Sequence, residues 1–432
     1  MKTDSATIQP VSGRVRTGRW ASLTNLFRTG LLGKLDLLQH GRLTIVEGES
    51  RRTFGPGNSA LTATITVTDP GFYARVATRG SIGAAEAFML GWWECDRLVD
   101  LMRIMVRNRP VLESMEGGTA LLTRPLARLY HWLRRNTIRG SRKNIVAHYD
   151  LGNDFYRLFL DDTMTYSCGV FPTDDASLEE ASIEKLDRIC RKLRLQPDDE
   201  VLEIGGGWGS FAIHAARTYG ARVTTTTISD EQFTYMQEAV AREGVSDRVT
   251  VLRKDYRELT GQYDKIVSIE MIEAVGYDNV PGFFEVCGRL LKPDGMLALQ
   301  AITMSDRYYS DYRRSVDFIQ RYVFPGSCLV SQSHLLQSVA GVGLVPEHIE
   351  DFGLDYATTL RRWRERFLTR LEDVRELGFD ERFIRLWEYY LAYCEGGFRE
   401  RSIGVMQLIA SAPAAAGSGP AISRAAAGVA DA

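Results

Sequence analysis

The chain has 432 residues, of which 44% are hydrophobic and 25% charged, the composition of an ordinary soluble protein with two or three domains. The net charge of −2 conceals two parts of opposite charge. Residues 1–143 hold 22 Lys and Arg against 11 Asp and Glu, whereas the remainder holds 31 against 44. The first part therefore suits an anionic partner. The six cysteines are scattered, with no C-x-x-C pair and no matching histidine spacing, which argues against a zinc site or a disulfide framework and favours a reducing cytoplasm.

The N-terminal part of the sequence predicts a small α+β domain, which we place at residues 1–120. The opening "MKTDSATIQPVSGRVRTGRW" has basic residues but no apolar segment, so we expect no secretory signal. Up to about residue 109, the strand-like runs "RLTIVEG" and "ATITVTD" precede a helical stretch, "SIGAAEAFMLGWWECDRLVDLMRIMVRN". No apolar run approaches the roughly 18 residues that a membrane-spanning helix needs.

A basic linker follows at residues 121–144. Its sequence "LLTRPLARLYHWLRRNTIRGSRK" holds seven basic residues and no acidic one, with apolar residues at roughly helical spacing between the arginines. Two interpretations stay open: a solvated linker helix, and a basic amphipathic helix lying on anionic lipid, which Tyr130 and Trp132 favour. Nucleic acid is a weaker candidate partner because no recognised binding motif accompanies the charge.

From residue 199 onward strand-like and helix-like segments alternate. The predicted strands are "EVLEIG", "ARVTTTTIS", "RVTVLRKD", "YDKIVSIE" and "MLALQAIT". The predicted helices between them are "SFAIHAARTYG", "DEQFTYMQEAVAREG" and "VPGFFEVCGRLLKPDG", the last stopped by Pro293. This alternation predicts a mainly parallel sheet with helices on both faces, in a domain at residues 145–410. The Ala/Gly/Ser/Pro-rich tail at residues 411–432 is predicted to be disordered.

A glycine loop, "VLEIGGGWG", follows the first strand of that domain. Glycines let the backbone turn sharply and approach a ligand, with the N-terminus of the next helix beneath it. A dinucleotide site uses similar spacing, so the loop alone is weak evidence. Two details weigh against NAD: the carboxylate of Glu203 lies inside the motif, and the strand "VTTTTIS" ends with no Asp or Glu for a ribose.

The E-x-G-x-G-x-G pattern resembles the donor loop of class I S-adenosylmethionine-dependent methyltransferases, in which "LLKPDGMLAL" is also common. Upstream, "IVAHYDLGNDFYRLFLDDTMTYSCGVF" resembles the segment before the catalytic core in cyclopropane-fatty-acyl-phospholipid synthases and the mycolic acid cyclopropane synthases. Three further motifs match that family in order and spacing, "TISDEQ", "SIEMIEAVG" and "YYLAYCEGGFRERSIGVMQL". "AAEAFMLGWWECDRLVDL" is similar to the N-terminal domain of the phospholipid-acting branch, so the resemblance covers about residues 35–409.

This resemblance implies an α/β fold of the class I methyltransferase type, Rossmann-like with a mainly parallel seven-stranded sheet and a helical cap, plus the smaller N-terminal α+β domain. It implies transfer of the methyl group of S-adenosylmethionine to the cis double bond of an acyl chain in a membrane phospholipid, which forms a cyclopropane. Positive charge develops on the chain, and a proton must then leave the added methyl group to close the ring. Such a site needs an apolar channel, aromatic faces or dipoles, a base and the exclusion of water.

In the resembled family the base is a bound bicarbonate ion. By resemblance, its cage consists of the backbone around Cys168 together with Glu273, Gln300, Ile302 and Tyr356. Because a small oxyanion needs converging donors, Cys168 is expected to shape an anion pocket, not to act as a nucleophile or metal ligand. Gln300 stands where many members have histidine, and its amide can donate to an oxyanion but cannot titrate.

Positions that bind the methyl donor also follow from the family motifs, with loop packing as the alternative at each. The methionine end is expected at Tyr166 and Ser167, and Gln232 is suited to the ribose in place of the missing carboxylate. The predicted donor-binding set is Tyr166, Ser167, Glu203, Gly205, Gly207, Trp208, Gly209, Thr227, Ile228, Gln232, Asp255 and Tyr256.

Cys394, in "YCEGGFRER", matches the cysteine that descriptions of the family mark as active. Methyl transfer to an alkene needs no covalent enzyme intermediate, so an inert cysteine beside the channel is the alternative. No metal is expected.

The expected partners are unsaturated, anionic phospholipids at the inner face of the membrane, which a cytoplasmic protein would bind peripherally; a homodimer stays open. Two other outcomes also stay open: a methyl-branched or methylene product, and a lipid-binding protein with an inert core. The intact glycine loop argues against the second.

Overall fold

The computed structural model describes residues 19–115 and 151–413. The predicted basic linker at residues 121–144 lies outside these ranges, as do residues 414–432 of the predicted tail. Ser411, which the sequence placed in that tail, instead closes the last strand, where it pairs with Met296 and Val345. Hydrogen-bonded neighbours on both sides extend the strand to this polar residue. Across the described ranges, no helix combines the length and the apolar character that a membrane crossing needs.

Residues 19–115 pack helices against a four-stranded mixed sheet of order β2-β1-β3-β4. Strand β1 is antiparallel to β2 and parallel to β3, and β3 is antiparallel to β4. Alternate residues of β3 (Ala63, Ile65 and Val67) are buried, as the two-residue period of a strand requires. The strands are β1 (Arg42–Glu47), β2 (Ser50–Phe54), β3 (Thr62–Val67) and β4 (Trp93–Cys95). The helices are Arg19–Leu35, Gly71–Met89, Leu98–Arg107 and Arg109–Met115.

The second part of the chain carries a seven-stranded sheet of order β10-β11-β9-β8-β5-β6-β7. The five strands from β9 to β7 pair in parallel, whereas β11 is antiparallel to both β9 and β10. The mainly parallel seven-stranded sheet is therefore confirmed. The strands are β5 (Glu200–Ile204), β6 (Arg222–Thr227), β7 (Val249–Arg253), β8 (Tyr263–Ile269), β9 (Leu291–Met304), β10 (Val345–Asp351) and β11 (Ile403–Ser411).

Helices cover both faces of this sheet because successive strand residues point to opposite sides. Val201 belongs to one apolar cluster and its neighbour Leu202 to the other. The helices of the first cluster are Leu178–Lys192, Ser210–Tyr219 and Asp230–Arg242. Those of the second are Val280–Leu290 and Gln332–Gly341.

The helix predicted to run to Pro293 ends earlier, at Leu290, and β9 begins at the next residue. Asp294 has a left-handed φ of 62°, and the pairing of β8 with β9 shifts register between Tyr263 and Lys265. Proline lacks an N–H group for the ladder and is tolerated at such an irregularity. The Pro-Asp-Gly sequence is therefore an irregular turn inside the strand, not the stop of a helix.

A helical cap lies over the carboxyl ends of the parallel strands, and its side chains reach groups at those ends. For example, Trp208 in the glycine loop donates from Nε1 to Oδ1 of Asn153, at 2.8 Å. The cap helices are Asn153–Arg157, Asp306–Tyr312, Gly353–Thr369, Leu371–Glu376 and Glu381–Arg399, with a π-helical turn at Ile319–Val323. Single turns of 3-10 helix lie at Tyr256–Glu258, Ile272–Ala274 and Tyr277–Asn279.

The two parts of the chain share one apolar cluster. The ring of Phe88 in the first part lies 5.5 Å from that of Tyr389 in the cap. Glu400 accepts hydrogen bonds from Nε of both Arg103 and Arg107, at 2.8 and 2.7 Å. These contacts hold the N-terminal unit against the cap, so that one cavity can be lined by both.

Candidate active site

A cavity of about 600 Å³ extends from the carboxyl ends of β5, β6 and β8 into the N-terminal unit. One end is lined by the glycine loop and by the residues that follow the parallel strands. This edge, where the strand order reverses between β5 and β8, is where open α/β sheets bind their ligands. The other end is apolar, and among its lining residues are Leu35, Ile45, Ile65, Phe72, Trp93 and Met102.

The glycines of the loop are needed for different structural reasons. A Cβ on Gly206 would lie 2.0 Å from Oγ1 of Thr225, so this residue must be small for the loop to pack on β6. Gly207 has a φ of 56°, and a Cβ there would meet no protein atom within 4 Å. Gly205 and Gly207 line the cavity, whereas Gly209 starts the following helix with a φ of 93° and does not. Gly207 is thus the point where a ligand can approach the backbone.

Glu203 is the penultimate residue of β5, with its side chain in the cavity wall. Its Oε2 accepts a hydrogen bond from Oγ1 of Thr225 at 2.6 Å. Burial raises the pKa of Glu203 to about 7, although the bond from Thr225 and the charge of the buried Lys185 lower it. The carboxyl is therefore fixed in position and close to its titration point at neutral pH.

The predicted donor positions after β6 lie together in the cavity wall, at Thr227, Ile228 and Gln232. Oγ1 of Thr227 donates to Oε1 of Gln232 at 2.8 Å, and the N–H of Ser229 donates to the same Oγ1 at 3.1 Å. Because the Gln232 oxygen is engaged, its amide nitrogen is the group that can donate to a ligand.

Asp255 and Tyr256, which follow β7, also line the cavity. The Asp255 carboxylate is bound by Arg257, with Nε to Oδ1 at 2.8 Å and Nη2 to Oδ2 at 2.7 Å. Burial alone would raise the pKa of Asp255, but these bonds lower it, so the group is ionised. The sequence prediction did not include this pairing.

Trp208 of the glycine loop lines the donor end of the cavity, together with Tyr166 and Ser167 of the loop before the core. The hydroxyl of Tyr166 lies 2.9 Å from that of Tyr390, and Oγ of Ser167 accepts a hydrogen bond from Nζ of Lys185 at 2.8 Å. Lys185 is 1% exposed. The predicted methionine end thus includes a lysine that sequence reasoning missed, and burial lowers the pKa of this lysine.

Three of the predicted anion-cage residues do converge, namely Cys168, Gln300 and Tyr356. The group that they surround is a side chain of the protein itself, the carboxylate of Glu270. Oε1 of Glu270 accepts from the N–H of Cys168 at 2.9 Å and from Nε2 of Gln300 at 2.7 Å. Oε2 of Glu270 accepts from the hydroxyl of Tyr356 at 2.6 Å. Glu270 lines the cavity, whereas Cys168 and Gln300 lie behind it.

Glu273 lies beside this centre and also lines the cavity. Its Oε1 accepts the N–H of Ile302 at 2.5 Å, and its buried Oε2 has no hydrogen-bond partner among the described residues. Burial and the nearby charge of Glu270 raise the pKa of Glu273 to about 8. Burial raises the pKa of Glu270 as well, but its three hydrogen bonds and the charge of Lys185 lower it. The two adjacent carboxyl groups therefore differ in their donors: Glu270 has three that favour its charged form, whereas Glu273 has one and is protonated at neutral pH.

The two cysteines singled out from the sequence are not thiolates. Burial raises the pKa of Cys168, whose Sγ–H donates to the carbonyl oxygen of Gly169 at 3.0 Å. Burial also raises the pKa of Cys394, which lines the cavity. Within residues 19–115 and 151–413, no cluster of His, Cys, Asp and Glu could hold a metal ion.

Residues 136–408 match a protein-family model described as mycolic acid cyclopropane synthetase. The chain belongs to the mycolic acid cyclopropane synthetase family. It is 40% identical over 357 residues to a cyclopropane-fatty-acyl-phospholipid synthase of Escherichia coli, a match that spans 82% of this chain and 89% of the relative. It is 39% identical over 352 residues to a tuberculostearic acid methyltransferase of Mycobacterium tuberculosis, spanning 77% and 79%.

The fold agrees with this family. The crystal structure of the mycolic acid cyclopropane synthase CmaA1 in complex with SAH and CTAB is 31% identical, with a TM-score of 0.59, over 62% of this chain and 98% of that one. The resemblance inferred from the motifs is thereby confirmed, and the chain is a class I S-adenosylmethionine-dependent methyltransferase.

The resemblance to this family implies a bound bicarbonate ion, but the residues present in this chain do not fit one. Of the predicted donors, Cys168, Gln300 and Tyr356 are bound to Glu270, and the N–H of Ile302 is bound to Glu273. A second carboxylate-like anion at this centre would compete for donors that are already used.

Glu270 and Lys185 are two polar residues at the site that sequence reasoning missed. Glu270 had a visible signal, since "SIEMIEAVG" places a carboxylate directly after β8, at the ligand-binding edge of the sheet. Lys185 had no visible signal, because a lysine in an amphipathic helix is expected to be solvated.

Proposed function

We propose that this family member transfers the methyl group of S-adenosylmethionine to the cis double bond of an unsaturated acyl chain in a membrane phospholipid, and that the product is a cyclopropane. The observation that carries the proposal is the continuity of the cavity. The glycine loop and the donor-binding positions line one end, and the apolar side chains of the N-terminal unit line the other. A polar donor and a long hydrocarbon chain would thus meet inside the protein.

The middle of the cavity suits a reaction that builds positive charge on carbon. Tyr166, Tyr356 and Phe398 line the cavity, and the ring centroids of Tyr356 and Phe398 lie 4.5 Å apart. Aromatic faces stabilise cations, more strongly in a site without water. The cavity is mainly apolar and lined by both parts of the chain, which limits the access of water to a carbocation.

The names of the relatives support a lipid substrate and leave two products to be distinguished. The relative from E. coli is named for cyclopropane formation in phospholipids, and the one from M. tuberculosis for tuberculostearic acid. Because the identities are 40% and 39%, a methyl-branched or methylene-branched chain is the second candidate product. Both candidates share the first step, attack of the alkene on the methyl group.

We also propose that the protein docks on anionic membranes through residues 121–144, since the double bond lies below the lipid headgroups. Each basic residue near an anionic surface contributes about 1 kcal/mol, and salt screens this attraction. Binding to anionic vesicles should therefore weaken as salt rises and on replacement of Arg134, Arg135 and Arg139 with Gln. Equal sedimentation with anionic and zwitterionic vesicles, insensitive to salt and to the substitutions, would contradict this docking.

The enzymatic proposal is tested with purified protein, methyl-labelled S-adenosylmethionine and phospholipid vesicles. Label should enter lipid extracted from vesicles with cis-unsaturated chains, and no label should enter vesicles with the same headgroup and saturated chains. Equal labelling of both would mean that the acceptor is the headgroup, and the proposal would fail.

A further inference from the structure

The carboxylate of Glu270 occupies the centre that the family resemblance assigns to a bound oxyanion. Its three donors come from separate parts of the fold: the loop before the core (Cys168), strand β9 (Gln300) and the cap (Tyr356). Three convergent donors favour the charged form of a carboxylate. The side chain also lines the cavity and remains partly accessible from it, as a group that meets a substrate must.

A buried hydrogen-bond chain fixes the direction of the Gln300 amide. Nζ of Lys192 donates to Oε1 of Gln407 at 2.7 Å, and Nε2 of Gln407 donates to Oε1 of Gln300 at 3.0 Å. A lysine can only donate, so the oxygen of each amide must face the lysine side. The nitrogen of Gln300 is then left to donate to Glu270, at 2.7 Å. The series of hydrogen bonds from Lys192 thus orders the Gln300 amide nitrogen as a donor, and a carboxylate is the matching acceptor.

The backbone at this position is strained. Glu270 follows β8 with a φ of 50°, in the left-handed region that disfavours a residue with a Cβ. Such strain is unfavourable and persists only where the surrounding structure holds the residue in place. A glycine would avoid the cost, so the glutamate side chain has a positive reason to be there.

From these contacts we propose that Glu270 itself is the base of the reaction, in place of a diffusible bicarbonate ion. The inference rests on the proposed function. In the step, the π electron pair of the alkene forms a C–C bond to the methyl group, and the C–S bond breaks with its electrons going to sulfur. Glu270 then takes a proton from the added methyl group. The electrons of that C–H bond form the third ring bond to the cationic carbon, and Glu270 becomes a neutral acid that releases its proton before the next turnover.

The neighbouring Glu273 supports this division of roles. Its Oε1 accepts the N–H of Ile302, and its buried Oε2 has no hydrogen-bond partner among the described residues. Burial raises the pKa of both carboxyl groups, but Glu270 has three donors and Glu273 has one, so Glu270 is the group of the pair that ionises first.

Two variants of Glu270 test the proposal. In Glu270→Gln, the amide oxygen can accept from Cys168 and Gln300 while its nitrogen donates to the Tyr356 hydroxyl, so the packing is kept and the base is lost. Turnover should fall about a hundredfold or more, since a general base contributes that much. Affinity for S-adenosylhomocysteine should stay within about threefold of the wild type, because the donor site is not touched. Glu285→Gln, at an exposed position of the Val280–Leu290 helix, is the matched control and should keep wild-type turnover.

Glu270→Gly relieves the left-handed strain and opens the cage. It should be inactive in carbonate-free buffer and regain turnover as bicarbonate or formate is added, with a saturable dose response. Wild-type turnover should be the same with and without bicarbonate. A wild-type rate that falls on removal of bicarbonate and returns on its addition would overturn the proposal, and so would near wild-type turnover of Glu270→Gln.

A binding measurement separates this inference from the proposed function. In the presence of S-adenosylhomocysteine, calorimetry should detect no bicarbonate binding to the wild type and saturable binding to Glu270→Gly. Bicarbonate binding by the wild type would overturn the inference even if the enzyme is active. A wild type that labels no unsaturated lipid would refute the proposed function, while the calorimetry would still report whether Glu270 fills the cage.

Discussion

The raised pKa of Glu273 should make the stability of the protein depend on pH in a way that one substitution removes. Burial and the charge of Glu270 raise the Glu273 pKa to about 8, from an ordinary value of 4.5. Between these values the folded state holds a proton that the unfolded state releases. The free energy of unfolding therefore falls as pH rises through this window, by about 1.4 kcal/mol per pH unit and about 5 kcal/mol in all. Below pH 4.5 this contribution is fully present, and above pH 8 it is lost.

Glu273→Gln should abolish this dependence, because an amide does not titrate and its oxygen can still accept from Ile302. Urea unfolding, followed by tryptophan fluorescence at pH 5.5 and pH 7.5, gives the stability of variant and wild type. The stability of the variant relative to the wild type should increase by about 3 kcal/mol between the two pH values. In the exposed control Glu285→Gln, the same difference should not change with pH. A constant difference for Glu273→Gln as well would show that Glu273 does not hold a proton in the folded state.

Three further predictions concern activity and donor binding. Tyr356→Phe removes the hydroxyl that bonds Glu270 and so disfavours its charged form, which should move the acidic limb of the rate–pH profile to higher pH; an unmoved limb would argue against Glu270 as the titrating base. Gly207→Ala puts a methyl group where the donor approaches and should weaken S-adenosylhomocysteine binding at least tenfold by calorimetry, whereas Gly244→Ala, with a similar φ of 69° and equally open surroundings, should not. Cys394→Ala should retain turnover within about tenfold in the labelled-lipid assay, since no covalent intermediate is needed; loss of all turnover in a folded variant would contradict this.

The fold was largely predictable because its signals are local. Alternation of apolar strands with capped helices predicted the parallel sheet, and each of the five predicted strands is present at its expected place. The errors occurred where tertiary contacts override local signals. Strand β4, which pairs with β3, interrupts the N-terminal stretch that was predicted to be helical. Pro293 looked like a helix stop but lies within β9, and Ser411 looked like the start of a tail but is paired on both sides. The composition of a segment does not report its hydrogen-bond partners.

The candidate site was predicted as a set of positions and less well as a set of contacts. The motif positions converge around one cavity, with Gly209, Cys168 and Gln300 behind its wall. What could not be predicted is which groups bind each other. The pairing of Asp255 with Arg257, for instance, depends on side-chain directions that only the folded structure fixes.

The contacts of Glu270, the proposed base, could not be predicted from the sequence either. The resemblance led to the prediction of a cage for bicarbonate, and the donors of that cage do surround a carboxylate, that of Glu270. Glu270 was visible in the sequence, in "SIEMIEAVG", but the side chain of a glutamate after a strand has many possible directions. Only the positions of Gln300 and Tyr356 show that this one turns into the cage.

The central claim, methyl transfer to an acyl double bond followed by loss of a proton from the added methyl group, is tested most directly by the fate of deuterium. Purified protein is given S-adenosylmethionine with a fully deuterated methyl group and vesicles of a cis-unsaturated phospholipid, and the acyl products are analysed by mass spectrometry before and after mild hydrogenation. The account predicts a chain that has gained one carbon, keeps two of the three deuterium atoms and takes up no hydrogen under mild conditions, as a cyclopropane requires. A saturated product that keeps all three deuterium atoms in a methyl branch would contradict it, as would deuterium found only in the headgroup.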